Sequence, residues 1–449
     1  GGAAVADAFR STVCELAGSM GIAAQTAGAP EQLLLSLRGS GQALYVGLLE
    51  DAYVVASEPY GLVEETRTYL RMDGETPADP ERAAATRGQV VVLDSARAGT
   101  LDGIERHAFD GTRLPVRDDE LQHAEITTRD IDRGEFPHFL LKEISEAPAS
   151  FRKTLRGKVV ERDGRLTVAL GSDTMPDSVR ARLRDGSIRR VVVIGQGTAA
   201  IAGQSLAAVL TALADDHLRA DAVVATELSG FQLRDDMSDT LVVAISQSGT
   251  TTDTNRTSDL ARARGAAVLA IVNRRNSDLV DKADGVLYTS DGRDVEMAVP
   301  STKAFYAQIA AGYLLAIAIA TEVGANGTVA SADAVHQILE ALRALPDAMT
   351  RVLASQSAIA GVAQRHALSR RYWAVVGNGR NRIAAAEVRV KASELCYKSI
   401  SFDATEDKKH IDLSAELWCW CARRACRGRT PTTSPRRSRS TARIAPRRS

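Results

Sequence analysis

The stretch LVVAISQSGTTTDTNR, residues 241–256, runs a β-branched apolar segment into a turn crowded with hydroxyls and then into a segment of helical character. Six hydroxyl side chains surround one glycine: Ser246, Ser248, Thr250, Thr251, Thr252 and Thr254. A turn so polar at the exit of a buried strand is costly as a mere connection, because each hydroxyl needs a partner once water is removed. The same strand-then-helix pattern repeats on both sides. RRVVVIG (189–195), DAVVATE (221–227), AAVLAIV (266–272) and GVLYTS (285–290) read as strands, and an apolar helix is expected over about 301–323. Continuous Val/Ile/Ala strands joined by crossover helices predict a parallel, doubly wound α/β sheet covered on both faces.

In such sheets ligands bind outside the carboxyl ends of the strands. Three stretches fall there: Gly195–Gln196–Gly197–Thr198–Ala199–Ala200, the serine- and threonine-rich turn, and PSTKAF at 300–305. The first fits G-x-G-x-x-A, and Glu227 at the end of the next strand could hold a ribose, so a dinucleotide-dependent oxidoreductase is one reading. It leaves the hydroxyl-rich turn unexplained. Ser246, Ser248 and Thr251, with the free N–H groups of a helix start, form an anion cradle that needs no lysine. Helix capping accounts for one of these hydroxyls but not for the whole turn, and the two roles are compatible.

Further on, a helical stretch at 331–368 precedes YWAVVGNG at 372–379, which opens a second unit of the same kind. It continues into VKASELCYKSISFDATEDKKHID, where Lys391 and Glu394 share a helical face and His410 follows in a charged stretch. Such a Lys–Glu pair is most often a solvated surface pair, and a single histidine is usually structural, yet beside a sugar both could move protons. Upstream, residues 43–95 alternate in strand fashion and make a β-rich or α+β module. A connector follows, with a helix expected from near Phe136 and interrupted at Pro148.

Composition agrees with a globular chain: 449 residues, 45% apolar and 25% charged. The longest apolar stretch, 310–320, is shorter than a bilayer span, and the opening residues carry no signal-peptide pattern. The five cysteines follow no pairing pattern, which points to a reducing cytoplasm. The net charge of zero conceals an uneven distribution, since ten arginines and no acid lie from Cys421 onward. The remaining body is mildly acidic and does not suggest a nucleic-acid binder. The arginine-rich end reads either as a basic arm or as a frameshift. A shifted reading of LWCWCARRAC gives a buried strand, and one of the residues beyond it gives an amphipathic helix. Cys419, Cys421 and Cys426 lack the spacing of a zinc knuckle and have no nearby histidine, so no metal site is expected. The chain opens without Met, as a fragment or a processed chain does.

SQSGTTTDT, STKAF and the K-x-x-E…KH series together resemble the sugar isomerase (SIS) domains of the glucosamine-6-phosphate synthase family, the isomerising glutamine–fructose-6-phosphate aminotransferases. LLKEISEAPASFRKTLRG at 140–157 resembles the family's connector, and residues 44–75 resemble the distal half of its glutaminase domain. The resemblance covers about 1–416. It implies residues 1–135 as a partial glutaminase-type domain without its nucleophile half, a connector at 136–160 and a first SIS domain at 161–325. An incomplete second SIS domain at 326–416 and an aberrant tail at 417–449 complete the chain.

The resemblance also implies roles. Ser246, Gln247, Ser248 and Thr251 match the residues holding the sugar phosphate, and Ser301 and Thr198 match further substrate contacts. Glu394 matches the base that moves a proton between C1 and C2, with Lys391 beside it. His410 matches a ring-opening histidine supplied by the partner subunit, which implies a homodimer. The implied substrates are fructose 6-phosphate and, in the intact enzyme, glutamine. No metal or organic cofactor is implied, since an imine and a placed carboxylate suffice. Two departures stand out: Ala199 replaces a family serine, and Cys14 is no substitute for the glutaminase nucleophile, so this chain is expected to release no ammonia from glutamine by itself. A non-catalytic sugar-phosphate-binding module is the alternative reading.

Overall fold

A computed structural model of the chain describes residues 4–39, 43–124, 126–324, 331–407 and 417–422. After helix α1 (Val5–Glu15), the N-terminal unit consists of strands β1 (Met20–Thr26), β2 (Ala29–Arg38), β3 (Tyr45–Leu48), β4 (Tyr53–Ala56), β5 (Thr68–Arg71), β6 (Gln89–Asp94), β7 (Ile104–Ala108) and β8 (Leu121–His123). Short helices α2 (Ala83–Thr86) and α3 (Thr128–Ile131) punctuate it. The strands form two antiparallel sheets, ordered β1-β2-β6-β7 and β4-β3-β5-β8. Residues two apart point to one face of a strand, so Leu35 and Leu37 of β2 and Val91 and Leu93 of β6 meet Val46, Leu70 and Met72 of the other sheet in one core.

Helix α4 (Phe139–Leu155) leads out of this unit and passes through Pro148 without ending. The expected interruption is absent because Phe151, Thr154 and Leu155, buried beyond the proline, hold the next turns against the following unit. That burial offsets the hydrogen bond a proline forgoes. A hairpin of β9 (Val159–Arg162) and β10 (Arg165–Val168) turns on Asp163–Gly164, both at positive φ, as a two-residue hairpin loop requires. Helix α5 (Asp177–Arg184) follows.

The first α/β unit consists of β11 (Arg190–Gly195), α6 (Thr198–Ala214), β12 (Arg219–Val224), α7 (Ala225–Glu227), β13 (Thr240–Ser246), α8 (Thr252–Arg262), β14 (Ala267–Val272), α9 (Asp278–Lys282), β15 (Gly285–Tyr288) and α10 (Lys303–Val323). Its sheet is wholly parallel in the order β12-β11-β13-β14-β15. Leu241, Val243 and Ile245 of β13 face the core shared with α6 and α10. Val242 and Ala244 face the opposite core with Ala225, Ala261 and Leu279. Both faces being covered explains why the strands are apolar at every position. The run at 310–320 is the inner part of the 21-residue α10. By length and composition α10, and α6 extended to His217, could each cross a membrane, but here they line the first core.

Helices α11 (Ala332–Ala354) and α12 (Gln356–His366) lead to the second α/β unit, made of β16 (Tyr372–Gly377), α13 (Asn381–Cys396), β17 (Ile400–Asp403) and β18 (Leu417–Ala422). Among the described residues its sheet is parallel, in the order β17-β16-β18. The six residues from Leu417, assigned above to the aberrant tail, pair with β16 from Tyr372–Leu417 to Gly377–Ala422 in the frame as written. LWCWCA is apolar and unbroken by Gly or Pro, which is enough for a strand. The rest of the tail, with Cys426, lies outside the described residues.

Candidate active site

The order of the first sheet reverses between β11 and β13, and the turns after these two strands flank the resulting crevice. The crevice is part of a cavity of about 530 Å³, a size usual for small-molecule sites. Thr198, Ser246, Gln247, Ser248, Thr251, Ser301, Lys391 and Glu394 all line it. These are eight of the nine residues nominated from the sequence; the ninth, His410, lies outside the described residues.

The hydroxyl turn is held from beneath. Gly249 sits at φ 69°, and a Cβ there would lie 1.9 Å from Ser277 Oγ, so only glycine fits. Its N–H donates to Ser246 Oγ at 3.0 Å, and Ser246 Oγ lies 3.0 Å from Thr251 Oγ1. Ser248 Oγ accepts from the N–H of Thr250 at 3.2 Å and from its hydroxyl at 2.9 Å. Buried Asn255 donates to the carbonyls of Gly249 and Thr251. The loop after β14 completes the support: Asn273 and Arg274 N–H donate to Gln247 O, and Leu279 N–H donates to Gly249 O. Ser248 therefore accepts internal hydrogen bonds while keeping its own proton to donate, and of the two protons on Ser246 and Thr251 at least one is left to donate, which suits an anion. The side-chain carbonyl of Gln247 is buried and accepts no hydrogen bond among the described residues.

Ser301 is placed by carboxylates. Its hydroxyl donates to Glu296 Oε2 at 3.0 Å, while Glu296 Oε1 accepts the N–H groups of Thr302 and Ala304 at 2.7 and 2.9 Å. Glu143 of α4, fully buried, accepts the N–H groups of Met297 at 2.6 Å and Ala298 at 3.0 Å. Burial raises the Glu143 carboxyl above the usual glutamate range, with the two backbone donors working against that shift. Lys303, also buried, donates to Glu146 at 2.5 Å. The connector helix thus fixes the loop that carries Ser301.

Lys391 and Glu394 come from α13. Lys391 Nζ donates to Glu394 Oε2 at 2.7 Å and lies 3.7 Å from Glu387 Oε1. Glu387 is buried and accepts from Thr198 Oγ1 at 3.0 Å, while its second oxygen accepts no hydrogen bond among the described residues. Burial pushes its carboxyl up, opposed mainly by the Lys391 charge. Lys391 is half-buried and Glu394 exposed, and the pair lines the cavity at the end of a chain of contacts from α6 through Glu387.

Sequence reasoning passed over Glu387, although it lies one helical turn before Lys391 and two before Glu394 on the same face. It also passed over the wall supplied by the N-terminal unit, where Tyr45, Glu58, Tyr60, Tyr69 and His123 line the cavity. Glu58 pairs with Arg274, and Arg71 pairs with Asp278, fastening this wall to the loop behind the hydroxyl turn. Burial raises Glu58, with Arg274 countering it. Glu227, the ribose candidate, does not line the cavity and lies in short α7. Among the described residues, no group of three or more His, Cys, Asp or Glu side chains could hold a metal ion.

Residues 187–318 match the SIS domain family. The chain is 31% identical over 408 residues to glutamine–fructose-6-phosphate aminotransferase (isomerizing) of Streptomyces coelicolor, covering 90% of this chain and 59% of that protein. It is 33% identical over 371 residues to the Mycobacterium bovis protein of the same name, covering 82% and 53%. The chain therefore spans between half and two-thirds of the length of these relatives. The C-terminal domain of glucosamine-fructose-6-phosphate aminotransferase from Francisella tularensis superimposes with a TM-score of 0.57 at 22% identity, over 65% of this chain and 77% of that one, which shows a shared fold. The chain carries a SIS domain, and its likeness to the isomerizing glutamine–fructose-6-phosphate aminotransferases extends far beyond that domain, over nine-tenths of its length.

Proposed function

We propose that the cavity binds fructose 6-phosphate and that the chain is the isomerase part of a glutamine–fructose-6-phosphate aminotransferase. The intact enzyme would use ammonia released from glutamine to make glucosamine 6-phosphate and glutamate. The observation that carries this reading is the convergence of the eight nominated residues, from four separate stretches of chain, on one cavity.

Ser246, Ser248 and Thr251 offer hydroxyls to the phosphate beside the N-terminus of α8, where the helix dipole favours an anion. With the phosphate anchored there, the sugar carbons extend toward α13. Glu394 takes the proton from C1 and returns it at C2, or the reverse, interconverting ketose and aldose forms. Lys391, which donates to Glu394 Oε2 at 2.7 Å, orients that carboxylate. His410 of the partner subunit opens the sugar ring, which makes the working unit a homodimer in the cytoplasm. Proton transfer needs no group beyond these side chains once the sugar is open.

Calorimetric titration with fructose 6-phosphate, paired with exchange of the substrate's C1 proton in D₂O, tests the reading. Saturable binding with exchange supports it. Glu394→Gln should retain affinity and lose exchange by a factor of about 10²–10⁴. Binding without exchange in the unaltered chain would favour a sugar-phosphate-binding module, and saturable NAD binding without a response to phosphosugars would favour an oxidoreductase.

A further inference from the structure

Two hydroxyls in the cavity differ from the rest in where their protons go. A hydroxyl has one proton to donate and two lone pairs to accept with. Ser246 and Ser248 accept hydrogen bonds from the turn and can donate outward. Thr198 instead donates its proton to Glu387 at 3.0 Å, and Ser301 donates its proton to Glu296 at 3.0 Å. Toward the cavity, both can therefore only accept. A carboxylate behind a hydroxyl also strengthens it as an acceptor, because the charge polarises the O–H bond.

We infer that Glu387 is a positioning residue that makes Thr198 an acceptor for a sugar hydroxyl, so that the cavity has a donor pole for phosphate and an acceptor pole for the polyol. This rests on the phosphosugar reading above and assigns a task to a buried carboxylate that the proton transfer does not use. The site has little redundancy at this point, because residue 199, next to Thr198, is alanine and has no hydroxyl. Glu387 does not line the cavity, so its effect on ligand passes through Thr198 and, at 3.7 Å, through Lys391. Glu296 does the same for Ser301 while tying down the N–H groups of Thr302 and Ala304. A dianionic phosphate monoester has no proton to donate, so it gains nothing from an acceptor-only hydroxyl, whereas each sugar hydroxyl can donate to one.

Two ligands separate the poles: fructose 6-phosphate, which uses both, and inorganic phosphate, which uses only the donor pole. Glu387→Gln should raise the Kd for fructose 6-phosphate about tenfold and leave that for inorganic phosphate unchanged. Thr198→Val should do the same, and Thr198→Ser, which restores the hydroxyl, should bring the affinity back. If Glu387→Gln does not fold, by circular dichroism, the Thr198 pair decides the matter. Equal loss for both ligands, or no change for either, overturns the assignment. Failure of the underlying reading looks different: fructose 6-phosphate then fails to bind the unaltered chain, or binds Ser246→Ala/Thr251→Ala equally well.

Discussion

The double substitution Ser246→Ala/Thr251→Ala tests the phosphate cradle most directly. Ser246 is buried, its Oγ accepts the Gly249 N–H at 3.0 Å, and its partner Thr251 Oγ1 lies at 3.0 Å. Between these two oxygens there are two protons. One can serve their mutual hydrogen bond, so at least one remains to donate to a phosphate oxygen, and both can do so if the mutual bond opens. A hydrogen bond to a charged group contributes about 1.5–3 kcal/mol. Losing one to two of them weakens binding by about 1.5–6 kcal/mol, an increase in Kd of roughly 10- to 10⁴-fold. The substitution also strips the Gly249 N–H of its acceptor, which lowers folding stability by about 1–3 kcal/mol. Calorimetry with fructose 6-phosphate measures the first effect and urea unfolding the second. A Kd within twofold of the unaltered chain, in a protein that shows the stability loss, would mean that the phosphate is held elsewhere and would refute the argument from hydroxyl geometry.

Gly249→Ala places a Cβ 1.9 Å from Ser277 Oγ at a φ of 69°, so it should destabilise the chain by about 2–4 kcal/mol and impair phosphosugar binding. Thermal unfolding and calorimetry check both parts, and an unshifted melting curve would contradict the stated contact. Glu143→Gln keeps an acceptor for the Met297 and Ala298 N–H groups but removes a titrating group. Burial raises this carboxyl above its ordinary value of 4.5, so the folded chain binds the proton more tightly than the unfolded one. The penalty for the charged form is then absent below that value and sets in as pH rises through and above it. The stability of the unaltered chain relative to Glu143→Gln should therefore fall as pH rises above 4.5, and a difference independent of pH would count against the burial argument.

Local pattern made much of the fold legible. The β-branched runs gave β11, β13 and β16 nearly to the residue because a parallel strand buried on both faces must be apolar throughout. The hydroxyl turn was legible for the complementary reason: its composition is too polar for the exit of a buried strand unless a ligand is near. Pro148 misled because the rule about proline concerns backbone hydrogen bonds alone, while α4 is held by tertiary burial on either side of it. Glu387 left no mark, since a glutamate on an amphipathic helix is ordinary until burial is known. The wall of Tyr45, Glu58, Tyr60, Tyr69 and His123 left none either, because contacts spanning more than a hundred residues have no local signature. Its fastening to the loop 273–278 depends on Arg274 and Arg71 meeting acids from distant segments.

The placement of the proposed base follows from how little of α13 is buried. Only Ala385, Ala386 and Glu387, in its first half, are buried, while Lys391 and Glu394 project past that patch into the cavity. The second unit thus delivers its carboxylate on a helix anchored at one end. A hydrogen bond across that anchor, from Thr198 to Glu387, starts at the first residue of α6, directly beyond β11 and beside the phosphate turn. The phosphate cradle and the base belong to different units, and the packing of α13 on α6, which includes this hydrogen bond, spans them. A shift of about 1 Å between reacting groups costs on the order of a hundredfold in rate. A buried carboxylate that costs stability at neutral pH is a poor device for folding, but it is a rigid spacer between the two halves of a site that must agree on where the sugar's C1 and C2 will lie.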